Sequence, residues 1–166
     1  PSHLRITSDV PGLTGAWEIG VNYALETTDA EIIIISNDDV VFSDEFFRQF
    51  ISNGIDHHPQ KDMRIFGPLS NGQEGYFWQK SNMPKPYRLE ESKNMVNGFC
   101  FALTRNCIEM IKSQNNGLLF DHTKKWGGNE EVFQQNIKSF GVTPVIIHHA
   151  WLKHYKIHGW KTNKLR

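Results

Sequence analysis

The sequence predicts a single α/β domain over residues 1–166, with a mostly parallel central sheet flanked by helices. Two observations support this fold class. Short apolar, β-branched runs alternate along the chain with stretches whose apolar residues have helical spacing. The clearest run, residues 31–36, contains four consecutive isoleucines, as is typical of a strand buried on both faces in a parallel sheet.

Local start and stop signals support the individual elements. Ser43 is suited to cap the second helix, and Gly54 is suited to end it. An Asn-Asn-Gly turn at residues 115–117 ends the third helix, whereas Asn129 caps the last helix and Gly141 closes it. In chain order, the predicted elements are a helix at 15–25, a strand at 31–36, a helix at 43–51, strands at 64–67 and 95–103, helices at 105–114 and 129–140, and a strand at 142–148.

A long segment, residues 68–94, is rich in Gly, Pro, Ser and Asn and separates two predicted strands. A segment of this length inside a compact domain is usually either functional or disordered. It carries the aromatic residues Tyr76, Phe77, Trp78 and Tyr87. These aromatics favour an ordered loop that contributes to a binding site.

The formal net charge is zero, from 18 Lys plus Arg and 18 Asp plus Glu, but the charges are segregated along the chain. Residues 26–56 carry eight acids and one base, whereas residues 148–166 carry five bases, no acid and four of the eight His. A neutral chain without a broad basic field argues against nucleic acid as the main partner. The 39% hydrophobic content excludes a disordered chain, and no apolar run reaches the roughly 20 residues of a membrane span.

The two cysteines, Cys100 and Cys107, lie in apolar surroundings. Two cysteines form neither a disulfide scaffold nor a zinc site, so each is interpreted as a small hydrophobic residue. The start of the chain resembles neither a signal peptide nor a transit sequence. These features predict a reducing, cytoplasm-like compartment.

The first motif whose side chains suit binding or catalysis is Asn37-Asp38-Asp39, directly after the isoleucine run. In open α/β sheets, ligands bind beyond the carboxyl ends of the strands. Adjacent carboxylates repel each other unless a cation lies between them, and oxygen ligands suit a hard divalent cation. The alternative interpretation is a turn with solvated acids.

The second motif, Trp-Gly-Gly-Asn-Glu-Glu, opens the last predicted helix. Glu130 and Glu131 lie in its first turn, where acids interact favourably with the helix dipole, and either one can accept a proton as a general base. Gly127 and Gly128 let the backbone approach a ligand, and Trp126 can stack on the apolar face of a sugar ring. A purely structural role in starting the helix accounts for the same residues.

The third motif is a group of histidines, His148, His149, His154 and His158, at and beyond the end of the last predicted strand. Neighbouring residues of a strand face opposite sides, so at most one of His148 and His149 belongs to a given site. Imidazole nitrogen beside carboxylate oxygen suits manganese-like ions. Scattered surface histidines are the alternative.

Together with the Val-Asn-Gly-Phe-Cys-Phe run at residues 96–101, these motifs occur in an order that resembles the nucleotide-sugar glycosyltransferases of the GT-A fold, most closely family 2. The resemblance covers about residues 9–155. Residues 37–39 look like the Asp-x-Asp motif of that fold in its Asn-x-Asp form. Residues 126–131 are similar to the Trp-Gly-Gly-Glu-Asp-Asp segment of the β-galactosyltransferases and to the Glu-Asp pair of family 2. The implied architecture is a GT-A, Rossmann-like domain.

The resemblance also implies roles for individual residues. Asp39 would ligate Mn²⁺ or Mg²⁺ directly, and His148 or His149 would complete the metal site. One alignment puts the catalytic base on Glu130, and the other puts it on Glu131. The remaining implied contacts are Asn37, Asp38, Asn97 and Gly98 with the donor nucleotide, and Trp78, Trp126, Gly127 and Gly128 with the sugar substrates.

The chain departs from the family pattern in two places. Trp17 and Glu18 stand where Arg-Asn is common in the helix that faces the nucleotide. A GT-A domain also opens with a strand, a helix and a second strand that supply an acid for binding the base, and we expect this sequence to begin after them.

The expected activity is a metal-dependent, inverting transfer of a sugar from a nucleoside diphosphate sugar, such as a UDP- or GDP-sugar, to a hydroxyl group of a glycan or another acceptor. A metal-dependent phosphoester hydrolase, with water as the acceptor, would use the same Asp, Glu and His chemistry. A third alternative is a non-catalytic carbohydrate-binding module that uses Trp78, Trp126 and Trp151 as stacking platforms.

Overall fold

The computed structural model describes residues 12–72, 77–121 and 128–155. These residues form three α-helices and six strands, with short helical turns between β2 and β3 and at Phe77–Gln79, after the first gap. The elements are α1 (Gly12–Thr27), β1 (Ile32–Ser36), β2 (Val40–Phe42), β3 (Arg64–Ser70), β4 (Leu89–Glu91), β5 (Cys100–Thr104), α2 (Arg105–Gln114), α3 (Asn129–Ser139) and β6 (Thr143–His154).

The six strands form one sheet in the order β1-β5-β3-β6-β2, and β4 also pairs with β6. The expectation of a mostly parallel sheet is wrong. Among the pairings of the described strands, only β3 with β6 is parallel, and the other four are antiparallel. The apolar runs do not encode direction, because a strand covered on both faces has the same composition in either orientation.

Three strands nevertheless run in the same direction. β5 is antiparallel to both of its neighbours, β1 and β3, and β6 is parallel to β3. The carboxyl ends of β1, β3 and β6 therefore meet at one edge of the sheet, together with the amino end of β5. Residues 37–39 lie at this edge, as the sequence predicts.

Apolar cores cover both faces of the sheet. The first packs α1, α2 and α3 against one face and includes Ile33 and Ile35 of β1. The second is built around Phe46 and other aromatic residues on the opposite face, and Ile32 and Ile34 pack against it. The prediction that this isoleucine run is buried on both faces is confirmed in part, because Ile33 and Ile35 are buried and Ile32 and Ile34 are partly buried. Burial of these side chains supplies the main favourable free energy of folding.

The predicted helix over residues 43–51 is only partly confirmed, because its described backbone includes a π-helical turn at Arg48–Ser52. Ser43 does not cap it with its side chain. Its hydroxyl instead donates to the Trp151 carbonyl at 3.0 Å. This bond joins the segment to β6 rather than to its own first turn.

The start of α3 also differs from the prediction. Gly128, with φ +69°, occupies the N-cap position, and no side-chain hydrogen bond caps the helix there. Asn129 is the first helical residue, and its buried amide donates to the hydroxyl of Thr14 in α1. Asn129 therefore ties α3 to α1 instead of capping its own helix.

The last strand is longer than predicted and contains a bulge. It runs from Thr143 to His154, whereas the sequence predicts an end at residue 148. Pro68 pairs with Ile147, but the next residue of β3, Leu69, pairs with Trp151. Residues 148–150 are thus inserted in β6 relative to β3.

Cys100 and Cys107 are both free and fully buried, so their interpretation as small hydrophobic residues is confirmed. Burial raises the pKa of each thiol to about 12. A thiol with such a pKa carries almost no thiolate at neutral pH and is a poor nucleophile.

Among the described helices, none has the length and apolar composition needed to cross a membrane.

Candidate functional site

A small pocket opens at the sheet edge where β1, β3 and β6 end. Its volume is about 180 Å³. This is below the roughly 300–1,000 Å³ of typical small-molecule sites, so these walls enclose only part of a ligand as large as a nucleotide sugar. The lining residues are Leu13, Trp17, Asn37, Asn97, Gly98, Phe99, Glu130 and His154.

Asp39 and His154 form an acid–imidazole pair beside this pocket. Asp39 Oδ1 lies 3.2 Å from His154 Nε2, and both side chains are largely buried. Strand pairing enforces the contact, because Val40 is opposite His154 and the Asp39 carbonyl accepts from the Tyr155 amide at 2.9 Å. His154 reaches the pocket wall, and Asp39 lies next to it.

The ring of His154 is held from several directions. Its backbone amide donates to Asn71 Oδ1 at 3.0 Å, just beyond the end of β3. Its ring stacks on Phe99, with the ring centroids 5.1 Å apart. Its Nδ1 atom is buried without a hydrogen-bond partner among the described residues. The ring is therefore positioned by packing and by its backbone, which leaves Nε2 aimed at Asp39.

The structure does not bring His148 and His149 beside Asp39, the residue with which the sequence predicts that one of them shares a metal ion. His148 Nε2 donates to Glu90 at 2.8 Å. His149 Nε2 donates to the Asn53 carbonyl at 3.3 Å, and its Nδ1 accepts from the Arg88 amide at 3.3 Å. Both nitrogens of His149 are thus engaged away from the pocket. Burial lowers the pKa of both histidines, more than Glu90 raises that of His148.

The orientation of α3 turns only one of the two candidate bases towards the pocket. Glu130 lines the pocket, whereas Glu131 is exposed. A methyl group added at Gly98 would lie 3.3 Å from both Cβ and Cδ of Glu130. The Glu130 side chain therefore lies over the bare backbone of Gly98, and of the two candidate bases it is Glu130 that reaches the pocket.

Two buried glutamines that the sequence analysis did not identify hold the pocket floor. Gln79 Oε1 accepts from the Asn97 amide at 2.7 Å, and Gln79 Nε2 donates to the Pro68 carbonyl at 2.8 Å. Gln134 brackets Val96, accepting from its amide at 2.7 Å and donating to its carbonyl at 2.6 Å. These side chains replace the strand neighbours that residues 96–97 lack. A single Gln in a helix or loop carries no sequence signal for such a role.

Gln134 also connects the floor to the candidate base. It lies one turn after Glu130 on α3, and its Nε2 atom is 3.3 Å from the Glu130 carbonyl oxygen. The helix that carries Glu130 is therefore held against the segment that carries Asn97 and Gly98.

Three of the four residues expected to contact the donor nucleotide line the pocket, and one does not. Asn37, Asn97 and Gly98 line the pocket, and the Asn37 amide donates to the Phe99 carbonyl at 2.9 Å. Asp38 is exposed and does not line the pocket.

Of the residues expected to contact sugars, Gly128 is described at the start of α3, whereas Trp126 and Gly127 lie outside the described residues. Trp78 is partly buried and donates from its indole to the Met95 carbonyl at 2.8 Å, and it does not line the pocket. Trp151 donates in the same way to the Ser81 carbonyl at 2.8 Å. Trp78 and Trp151 are therefore anchored by their polar edges within the fold. Of the other aromatic residues in this segment, Tyr76 is outside the described residues and Phe77 is highly exposed.

The Trp17-Glu18 departure from the family pattern has a structural explanation. Trp17 packs in the core and lines the pocket. Glu18 is buried, where its carboxylate accepts from the Lys112 ammonium at 2.8 Å and from the backbone amides of Leu119 and Phe120 at 3.0 Å each. Glu18 thus fixes the chain after α2 and faces away from any nucleotide contact.

Asp39 and His154 fit a divalent cation that takes most of its ligands from a substrate. Two donors each about 2.1 Å from one ion, at a right angle, lie about 3 Å apart, close to the separation of this pair. Within residues 12–72, 77–121 and 128–155, no three His, Cys, Asp or Glu side chains are grouped so that they could hold a metal. The two donors alone would bind Mg²⁺ or Mn²⁺ weakly, because these ions otherwise retain water or take phosphate oxygens.

In comparisons with known proteins, no family model matches this sequence, and no curated protein matches it significantly.

Proposed function

We propose that this chain carries the site of a metal-dependent, inverting glycosyltransferase. The donor is a nucleoside diphosphate sugar, a UDP- or GDP-sugar, and the acceptor is a hydroxyl group of a glycan or a similar molecule. The observation that carries the proposal is the joint position of His154, paired with Asp39, and of Glu130 around one pocket. Two cation ligands and one general base are the groups that such a transfer needs.

Asp39 and His154 are the residues that would hold Mn²⁺ or Mg²⁺. When bound, the cation neutralises the charge that develops on the departing diphosphate. The protein contributes an oxygen and a nitrogen donor held at fixed separation by the β2–β6 pairing. This rigidity lowers the entropic cost of orienting the diphosphate.

Glu130 takes the proton of the acceptor hydroxyl as that oxygen attacks the anomeric carbon. The bond from the anomeric carbon to the diphosphate oxygen breaks on the opposite face, which inverts the configuration. General-base catalysis of this kind contributes roughly 10² to 10⁴ in rate. Gly98 allows the Glu130 carboxylate to approach the pocket floor, since a side chain there would meet it.

The donor's ribose and diphosphate are expected along Asn37 and the Asn97-Gly98 segment, on the same side of the pocket as His154. Asp38 is exposed beside this edge, and in this proposal its carboxylate contacts a ribose hydroxyl from outside the pocket.

The direct test is a thermal-shift screen of nucleoside diphosphate sugars with and without Mn²⁺. A ligand that binds only the folded state raises the midpoint temperature. We expect stabilisation by one donor in the presence of Mn²⁺ and its loss in chelator. Absence of any Mn²⁺-dependent stabilisation across UDP- and GDP-sugars would contradict the proposal.

Two further measurements separate the alternatives. A hydrolase releases nucleotide at the same rate with and without a sugar acceptor, whereas a transferase is accelerated by its acceptor. A carbohydrate-binding module binds sugar fully in chelator and is indifferent to Glu130→Gln.

A further inference from the structure

A second cavity lies at the opposite edge of the sheet from the candidate active site. Its volume is about 570 Å³, within the roughly 300–1,000 Å³ of small-molecule sites. The amino ends of β3 and β6, residues 92–95 and the carboxyl-terminal half of α3 form its walls. None of the charged groups assigned to glycosyl transfer faces it.

The floor of this cavity is apolar. Ile65, Ile137 and Val142 belong to the first core and are almost fully buried, and they line the cavity together with Met95 and Pro144. Their arrangement leaves a recess in the core surface rather than a flat face. Water in an apolar recess is readily displaced by an apolar group, so the floor favours a ligand with a hydrophobic body.

The charged lining residues are both basic. Lys93 follows β4 and Lys138 is in the last turn of α3, so two different elements each contribute a basic residue to the lining. No Asp or Glu lines the cavity. Neither lysine forms an ion pair with another described residue. An anionic group at the rim would therefore meet two cations and no carboxylate.

The carboxyl end of α3, which also lies at this cavity, does not present free carbonyl oxygens that would offset the positive charge of the two lysines. The carbonyl oxygens of the last turn would disfavour an anion if they were exposed. The Ile137 carbonyl accepts from the amides of Phe140 and Val142, the Lys138 carbonyl accepts from the Gly141 amide, and the Asn136 carbonyl accepts from the Ser139 hydroxyl. The helix end is thus satisfied from within the chain.

We propose that this cavity binds a small amphipathic anion, a molecule with a compact apolar body and one carboxylate or phosphate group. The apolar body occupies the recess over Ile65 and Val142, and the anionic group lies between Lys93 and Lys138. The proposal is independent of the activity assigned to the other edge of the sheet, and it does not require a metal ion.

The test uses three probes of the same shape: 2-naphthoate, 2-naphthyl phosphate and the neutral 2-naphthamide. Binding is followed by backbone amide shifts in ¹H–¹⁵N spectra of the whole chain. We expect saturable shifts at Met95, Gln135, Lys138 and Thr143, with dissociation constants of about 1 mM or below for an anion. At least one anion binds at least about threefold more tightly than the amide, and the tighter anion identifies the preferred group.

The matched variants are the charge reversal Lys93→Glu with Lys138→Glu, and the control Lys80→Glu. All three lysines are exposed, so folding is expected to survive each change. The double reversal should weaken anion binding about tenfold or more, whereas Lys80→Glu should not change it. Equal affinity for naphthoate and naphthamide, shifts confined to other residues, or an equal effect of the control would overturn the proposal.

Discussion

Asp39, just before β2, and His154, at the end of β6, are far apart in the sequence, yet their side chains meet at 3.2 Å across the β2–β6 pairing. This contact joins the acidic stretch at residues 26–56 to the His-rich end of the chain. Asp39 of the acidic stretch and the end of β6 therefore meet at the edge of the sheet where β1, β3 and β6 end.

Replacing His154 by Gln, or Asp39 by Asn, should weaken the Mn²⁺-dependent binding of a nucleoside diphosphate by about tenfold or more, because each change removes one of the two proposed protein ligands. His148→Gln is the comparison, since His148 is bonded to Glu90 away from the pocket. Titration of Mn²⁺ in the presence of nucleotide measures the effect. If only His148→Gln lost binding, the metal ligand would be His148, as the sequence predicts, and not His154.

Glu130→Gln should reduce turnover by roughly 10² to 10⁴ while leaving donor binding intact, because the amide cannot accept the acceptor's proton. Glu131→Gln is the matched control, since Glu131 is the neighbouring residue but is exposed. Single-turnover rates and donor dissociation constants should be measured for both. Equal losses in the two variants would mean that the orientation of α3 does not select the base.

Gly98→Ala should lower turnover with little loss of stability. The new methyl group would lie 3.3 Å from Cβ and Cδ of Glu130, so that side chain must move. Gly98 does not have a positive φ, so alanine causes no backbone strain there. The expected result is a lower kcat and an unfolding free energy within about 1 kcal/mol of the parent. A variant that turns over normally would show that Glu130 has room to adjust.

Gln134→Leu should destabilise the fold by about 2–4 kcal/mol, because it leaves the buried amide and carbonyl of Val96 without partners. Gln135→Leu, at the adjacent exposed position, should change stability by about 0.5 kcal/mol or less. Urea unfolding measures both variants. Similar free energies for the two would argue that water replaces the lost hydrogen bonds at residue 96.

Acidification should destabilise the protein between about pH 7.5 and pH 5. Burial lowers the pKa of His58, His148 and His149 in the folded state, so the unfolded chain binds protons more tightly as the pH falls through about 6.5. The stability associated with neutral histidines is present above that pH and is lost below it. Unfolding free energies in urea across this range give the measurement.

The carboxylates affect the stability of the protein at a lower pH than the histidines do. The Thr104 hydroxyl lowers the pKa of Asp62, and the Arg64 guanidinium lowers that of Glu91, so their contributions persist until the pH falls below about 4. A slope that appears only below pH 4.5 would therefore contradict the histidine prediction. His148→Gln should reduce the slope between pH 7.5 and 5, because it removes one titrating group.

Local signals in the sequence predicted much of the fold. The helix at residues 105–114 matches α2 in both bounds, and its Asn-Asn-Gly end has positive φ at Asn116 and Gly117. Strand direction could not be predicted from the sequence, because β5 has the same apolar composition whether it runs parallel or antiparallel to β1. Strand pairing over long sequence separations decides that direction, and no local residue encodes it.

The sequence predicts most of the residues that meet around the pocket, but not the histidine that lies beside Asp39. The edge position of residues 37–39 followed from strand polarity, and Glu130 was one of two candidates. His154 was passed over because the predicted strand stopped at residue 148, before the bulge. The apolar run Ala150-Trp151-Leu152 after the two histidines is the sequence feature that is compatible with a longer strand.

The bulge in β6 has a further consequence for this histidine. Along an uninterrupted strand, residues of the same parity share a face. Ile146 nevertheless packs in the first core and Leu152 in the second, so the inserted residues 148–150 reverse the phase of the strand. His154 has the phase of Leu152 and therefore turns to Phe99 and Asp39. In an uninterrupted strand of the same sequence, His154 would share the face of Ile146 and point to the first core. The three inserted residues therefore bring the imidazole to the face of Phe99, where it meets Asp39.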